Sequence, residues 1–382
     1  MIDDIPRSQF LSGPMRSSEN RRMTKAFAVA LVGCGEIGSM RAAAVEKSPR
    51  LRLRAVCDID RERAEALSKR FGGAVHGDAE VAVRAPDVDL VIISTSNNLH
   101  APLAIAAMNA GKHVLCEKPL ARNLEEATAM LDAAVRNGVQ LKTGFNHRYY
   151  PCVSKSAELV REGAVGRPIL LRASIGHPGG PEFFKRWFAD PRIAGGGTLI
   201  DNGVHMLDIT RWILGEVDEV MGMSSSARVS AGLDDNCFAL LRASRAIASI
   251  SSSWNKWDGY FEIEITGDEG YIHCRYPPME VRIGKINPRN GRLSQKRILF
   301  WRDILLEKVL TYRHTTIGTF LCEFDEWLEA IEANRPPAFG AKDGYRVTEL
   351  VQAIYRSARE GVRVPTPVPD VLKTPSAPSG RS

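Results

Sequence analysis

The sequence predicts an α/β protein in two parts. A doubly wound parallel sheet is expected over residues 25–150, and a second α/β domain with an open, mainly antiparallel or mixed sheet over 151–364. Three observations predict it. Apolar runs of strand length alternate with helical stretches from Ala26 to Phe145, the pattern of a parallel sheet covered on both faces. Gly33, Gly35 and Gly38 follow the first run in G-x-G-x-x-G spacing and open a helix. After Pro151 the alternation stops, and short strands follow one another across turns.

Ala26 to Val32 is an unbroken apolar run and reads as a buried strand. Each glycine after it has a task in a dinucleotide site. Gly33 makes the tight turn, Gly35 admits a pyrophosphate to the backbone, and Gly38 lets the helix from Ser39 to Val45 pack on the strand. The phosphates would rest on the free N–H groups of the helix start, beside Glu36 and Ile37. A second run, Leu51 to Cys57, ends at Asp58, whose carboxylate can accept from a ribose hydroxyl. That carboxylate repels a 2′-phosphate, so NAD is expected over NADP. Arg61 and Arg63, one turn on, weaken the preference and keep NADP possible.

A helix over Arg61–Arg70 leads to a strand over Asp89–Ser94. The loop that follows, TSNNLH, adds Thr95 and His100 to Ser94 as expected cofactor contacts and runs into a helix that stops at Gly111. The strand His113–Cys116 ends at Glu117-Lys118-Pro119. Ligands of open α/β sheets bind outside the carboxyl ends of the strands, which places Glu117 and Lys118 near the nicotinamide. Lys118 then either meets a substrate oxygen or pairs with Glu117 at the surface. A helix over Asn123–Asn137 and a strand over Val139–Phe145 complete this part.

In the second part, a helix over Cys152–Glu162 precedes a strand over Ile169–Ile175 and a long loop to Gly197. A helix over Thr198–Leu214 follows. Strands are read at Glu219–Val229, Asp235–Ala243, Ala246–Trp254, Gly259–Thr266, Gly270–Cys274 and Glu280–Ile286. Two helices close it, Phe320–Asn334 and Asp343–Glu360, with room to pack back on the first domain. Residues 1–24 are expected to be a disordered extension, with Met15 and Met23 as alternative starts, and 365–382 a mobile tail.

Gly195, Gly196 and Gly197 precede the 198–214 helix and allow close approach to a ligand. Asp201 and His205 are four apart and share a helical face, with Asp208 three further on. A histidine is the usual proton acceptor at neutral pH, and a carboxylate beside it holds its orientation. The same residues also suit a packed helix with a capping Asp. No third ligand has metal-site spacing, so no metal is expected.

Bulk properties narrow the partners. Seven cysteines without a C-x-x-C pair suit a reducing cytoplasm. No apolar run is long enough to span a membrane. The net charge of +6 is local: between Arg275 and Arg302 lie Arg282, Lys285, Arg289, Arg292, Lys296 and Arg297 against only Glu280. This block reads as a solvated hairpin, or as a patch for a phosphorylated ligand. No nucleic-acid module accompanies it.

Taken together, GCGEIG, STSNNLH, CEKPLA, GFNHRYYP and GGGTLIDNGVHMLDITRWILG resemble the Gfo/Idh/MocA oxidoreductases in order and spacing, over Lys25 to Val364. The resemblance implies an N-terminal Rossmann domain and a C-terminal α/β domain whose open sheet mediates homo-oligomers. It implies hydride transfer between NAD or NADP and a carbinol of a sugar, inositol or nucleotide-sugar. Lys118, Asp201 and His205 become the catalytic residues, Asn97 borders the cofactor, and Arg148 lies near the substrate. Ser96 departs from the family's usual proline. Lys185 is expected at the substrate, while His177, Arg186, Trp187, Trp254, Trp257 and Tyr260 suit either the border of a sugar or core packing and surface. Two other functions fit less well: an NAD-dependent glycosidase acting by transient oxidation, and a non-enzymatic dinucleotide-binding regulator.

Overall fold

The computed structural model describes residues 26–366 apart from 181, 230, 231 and 288. The expected N-terminal extension, and the expected tail beyond residue 366, lie outside the described residues. The first sheet is built from β1 (Phe27–Val32), β2 (Leu51–Cys57), β3 (Ala74–His76), β4 (Leu90–Ile93), β5 (His113–Glu117) and β6 (Leu141–Gly144). Every pair is parallel and the order is β3-β2-β1-β4-β5-β6. All of β4 and the last four residues of β1 are buried, because helices cover both faces. On one face lie α1 (Glu36–Lys47) and α2 (Arg61–Phe71). On the other lie α3 (Ala79–Val83), α4 (His100–Asn109) and α5 (Leu124–Asn137). The strand order reverses between β1 and β4, which opens a crevice at their carboxyl ends.

After α6 (Pro151–Arg161) comes a second, mixed sheet with the order β14-β13-β12-β11-β7-β10-β9-β8-β15. Its strands are β7 (Pro168–Gly176), β8 (Glu219–Ser225), β9 (Asn236–Ala243), β10 (Ala246–Ser253), β11 (Phe261–Gly267), β12 (Gly270–Tyr276), β13 (Glu280–Ile286), β14 (Leu293–Leu299) and β15 (Val364–Pro365). β10 runs parallel to β7, and the other neighbours are antiparallel. The long loop after β7 holds a four-residue helix, α7 (Pro191–Ala194), and leads to α8 (Val204–Leu214). One face of this sheet is covered by α6, α8 and, from the end of the chain, α11 (Ala341–Glu360). The other face is open. Alternation along β9 buries Cys237, Ala239 and Leu241 and leaves Phe238 and Leu240 more than half exposed, at 58% and 54%.

The structure adds elements that the pattern missed. β3 and α3 are too short to show a period. β14, LSQKRIL, is an edge strand whose polar and charged side chains face water, the usual defence of an edge. It pairs with β13 as a hairpin, and Arg275, Arg282 and Arg297 converge on the buried Glu280 carboxylate. The basic block is therefore a hairpin with its own internal counter-charge.

Two further helices precede α11: α9 (Trp301–Leu310) and α10 (Tyr312–Glu332), the latter beginning well before Phe320. Phe320, Phe324 and Trp327 of α10 enter the core shared by α1 and β1. Ala341 and Tyr345 of α11 pack on the opposite side of the first sheet, while Leu350 and Ile354 enter the core of the second. The end of the chain thus returns to both sheets. Val364 pairs with Val220 of β8, and Thr366 is buried, so these residues are part of the sheet structure.

Candidate active site

A cavity of about 1260 Å³ lies at the carboxyl ends of the first sheet and reaches the turn before α8. Its glycine end is shaped by steric necessity. Gly33 has φ +93°, and a Cβ on it would stand 2.4 Å from the Ser94 carbonyl oxygen. A Cβ on Gly38 would stand 1.8 Å from the Gly33 carbonyl oxygen, so only glycine lets α1 lie this close. Gly35 differs: nothing lies within 4 Å of where its Cβ would be, and no side chain caps the first N–H groups of α1. These open amides at a helix start fit a pyrophosphate.

Asp58 lines the same cavity, its Oδ2 accepting from the Cys34 N–H at 2.6 Å and its Oδ1 from the Asp60 N–H at 2.8 Å. Two fixed donors hold the carboxylate in place for a ribose. Glu36, Ile37, Ser94, Thr95, Asn97 and Glu117 also line the cavity. Glu36 accepts from the Tyr312 hydroxyl at the start of α10, and Asn97 donates to the Ala194 carbonyl at 2.7 Å. Ser94 Oγ is buried without a hydrogen-bond partner among the described residues. Gly38 and His100 do not line the cavity. His100 is buried, with Nδ1 2.8 Å from the Pro119 carbonyl oxygen and Nε2 3.3 Å from that of Thr95. It ties the 95–100 loop to the segment after β5. Arg63 reaches the rim but is paired with Asp60 at 2.9 Å, and Arg61 is paired with Glu65 at 2.7 Å.

The other end of the cavity is set by the turn before α8. The buried Asp234 carboxylate accepts from the N–H groups of Gly197 and Leu199, both at 2.9 Å, and from the Tyr355 hydroxyl at 2.7 Å. A Cβ on Gly197 would stand 1.9 Å from the Asp234 carbonyl oxygen, and one on Gly196 2.4 Å from the Tyr355 hydroxyl. Gly196 and Gly197 therefore allow close approach of the protein to itself, and Gly196 also lines the cavity. From this anchor Leu199–Gly203 forms a π-type helical turn that runs into α8. A π turn carries more residues per turn than an α turn, so positions four apart no longer stack.

This breaks the expected pairing of Asp201 with His205. Asp201 instead faces Lys118. Lys118 Nζ donates to the Asp201 carbonyl at 2.7 Å and to its Oδ1 at 3.1 Å. Trp254 Nε1 and Asn202 Nδ2 donate to Oδ2 at 3.1 and 3.0 Å. Lys118 is not paired with Glu117 at the surface either. The Glu117 carboxylate accepts from Arg41 Nε at 2.7 Å, and Arg41 also pairs with Glu323 of α10. All three are buried.

His205 is 2% exposed, and its Nδ1 has no partner among the described residues. Its ring stacks on His147 at 3.6 Å between centroids. Burial, the neighbouring His147 and the Lys118 ammonium hold the His205 pKa well below its ordinary value. Burial, then Lys118, brings His147 down to about 3. Both rings are thus uncharged at neutral pH, and His205 is a free base that borders the cavity.

Two expected substrate contacts lie elsewhere. Arg148 is buried behind the site and holds Asp208 through Nε–Oδ2 at 2.6 Å and a second contact from Nη2, with Asp343 at 3.3 Å. Its burial among counter-charges makes it a structural ion pair between the 146–149 turn and α8. Lys185 is exposed, pairs with Glu182 at 2.6 Å and does not line the cavity. Trp257 is exposed at 79% and is also outside it, whereas His177, Arg186, Trp187, Trp254 and Tyr260 line it. Sequence reasoning missed His147, Asn202, Tyr312 and Thr316, which also line it. GFNHRYYP, where His147 sits beside Arg148, and GGGTLIDNGVHMLD, where Asn202 follows Asp201, offered a signal.

Comparison with known proteins places the chain in a family. Residues 27–145 match the model of an oxidoreductase family with an NAD-binding Rossmann fold, and 153–273 that of the GFO/IDH/MocA C-terminal domain. D-glucoside 3-dehydrogenase of Escherichia coli K12 is 34% identical over 353 residues, covering 88% of this chain and 96% of its own. Inositol 2-dehydrogenase of Rubrobacter xylanophilus is 30% identical, covering 87% and 91%. Levoglucosan dehydrogenase in complex with NADH and levoglucosan superposes with a TM-score of 0.80 at 27% identity, over 90% of this chain and all of its own.

Proposed function

The chain belongs to the GFO/IDH/MocA oxidoreductase family, and from that premise we propose an NAD-dependent dehydrogenase or reductase acting on a carbinol or ketone carbon of a sugar, inositol or nucleotide-sugar. The observation that carries this reading is the convergence of Lys118 and an uncharged His205 on one cavity whose far end offers the open amides of α1. Glu36, Asp58 and the 94–97 segment would hold the dinucleotide, and bound NAD supplies the hydride acceptor. The Lys118 ammonium, steadied by Asp201, stabilises the negative charge that grows on the substrate oxygen. His205 takes the hydroxyl proton on oxidation and returns it on reduction. Asp201 acts through Lys118.

Relatives named for inositol, glucoside and levoglucosan point to cyclic polyols as the first substrates to try. The test is a panel of inositols, glycosides, anhydrosugars and nucleotide-sugars with NAD, read by absorbance of the reduced nicotinamide. Substrate-dependent reduction is expected. Sugar release without net reduction would overturn the reading in favour of elimination.

The same proposal includes self-association through the open face of the second sheet, where Phe238, Leu240, Met223 and Ile247 are exposed. It also includes a cytoplasmic setting, for which the seven unpaired cysteines are the support. No helix among the described residues is long and apolar enough to cross a membrane.

A further inference from the structure

With Asp201 committed to Lys118, Trp254 and Asn202, something else must fix the plane of the His205 ring. We propose that His147 is the positioning residue of His205, its own ring held in one orientation by a hydrogen-bond relay that starts on α10. The inference rests on His205 being the proton acceptor of the cleft.

The relay can be read donor by donor. Thr319 Oγ1 donates its single proton to the Thr316 carbonyl at 2.7 Å. Having spent that proton, Thr319 Oγ1 can only accept from Asn146, whose side-chain nitrogen lies 3.1 Å away. The Asn146 amide is thereby fixed with Oδ1 toward His147 Nδ1, also at 3.1 Å. A carbonyl oxygen only accepts, so Nδ1 carries the ring proton and Nε2 the lone pair. A flip of the amide would set its oxygen against the lone pairs of Thr319 Oγ1, and a flip of the ring would replace the Nδ1–H donor by a C–H.

The ring so fixed lies against His205 with 27° between planes. Tyr150, Tyr260 and Phe261 surround its remaining sides at 5.0 to 5.6 Å between centroids. On the far side of His205, Phe145 presents an edge at 6.3 Å. His205 has neither a carboxylate nor a carbonyl on Nδ1, so the stacked face is the contact that orients it. The charged groups that act on the pair come from one side, at Lys118.

Three variants of the full chain test this. Replacing His147 by Ala removes the face: kcat should fall about a hundredfold, with KM and NAD affinity within about twofold. His147→Phe restores a flat ring in the same aromatic surround and should recover most of that loss. Thr319→Val cuts the relay without touching the cavity. In nitrogen–proton correlation spectra, the His147 Nδ1–H signal should be sharp in the wild type and lost in Thr319→Val. That arm needs no turnover, so it stands or falls apart from the reading of the cleft. A folded His147→Ala variant with near-normal kcat, a His147→Phe variant no better than Ala, or a wild type without the Nδ1–H signal would each overturn the inference.

Discussion

Lys118 Nζ lies 2.7 Å from the Asp201 carbonyl oxygen and 3.1 Å from its Oδ1, joining the carboxyl end of β5 to the turn that begins α8. The two residues are 83 positions apart, yet they share one charge balance. With side chains 21% and 15% exposed, the pair is shielded enough for that balance to matter and open enough to meet a substrate.

A double-mutant cycle should therefore couple Asp201 to Lys118 and not to His205. Lys118→Ala is expected to lower kcat on the order of 10²–10³-fold. Asp201→Asn should add little on top of Lys118→Ala, a coupling of about 1–3 kcal/mol. Combined with His205→Ala, its effect should be closer to additive. Additivity with Lys118 and coupling to His205 would restore the pairing expected from sequence.

His205→Ala should lower kcat per folded molecule about 10²–10⁴-fold while NAD affinity changes little, with a lower melting temperature from loss of the buried ring. The ring borders the cavity and its Nδ1 forms no hydrogen bond that the fold would lose. A well-folded variant with near-normal turnover would remove His205 from the reaction.

The depressed histidines make a signed statement about pH. An unfolded histidine gains its proton near pH 6.5, while buried His205 and His147 resist it. Below that pH the unfolded chain binds more protons, so each histidine removes stability as pH falls, on the order of 1 kcal/mol per pH unit. Above about pH 7.5 neither form is charged and the contribution is flat. Melting temperature should drop from pH 7 to pH 5, and less steeply in His147→Phe. For the same reason, kcat/KM should not show a protonation step of His205 between pH 8 and pH 6.

Asp58 should enforce NAD over NADP. Its carboxylate is held by two backbone donors, and the nearby Arg61 and Arg63 are spent on Glu65 and Asp60. NADH should bind roughly tenfold or more tighter than NADPH, and Asp58→Ala should narrow the gap. Equal or tighter NADPH binding to the wild type, by titration, would refute this.

The open face of the second sheet should hold an oligomer together. Light scattering at micromolar concentration is expected to give a multiple of the 42.1 kDa chain mass, and Leu240→Glu to reduce it toward a monomer. A monomeric wild type would argue against the self-association we propose.

The sequence by itself determined the first sheet and its cofactor end. Strands buried on both faces are apolar throughout, so β1 and β4 announce themselves, while β2 keeps the exposed Arg52 and Arg54 in alternation with its apolar residues. Gly33 and Gly38 admit no side chain, so their spacing carries the turn geometry. Lys118 and His205 were legible because both stand in short motifs tied to strand or helix ends. Tertiary structure alone decided how these residues pair. Asp234, more than thirty positions away, anchors the start of the Leu199–Gly203 π turn, and Asp201 in that turn meets Lys118. Arg148 looked available for a substrate until Asp208 and Asp343 closed around it. His147 showed no role in sequence, because stacking on His205 needs the 146–149 turn and α8 to be side by side. A pattern along the chain reports which faces are buried; it does not report which buried polar groups meet, and in this cleft those meetings set the chemistry.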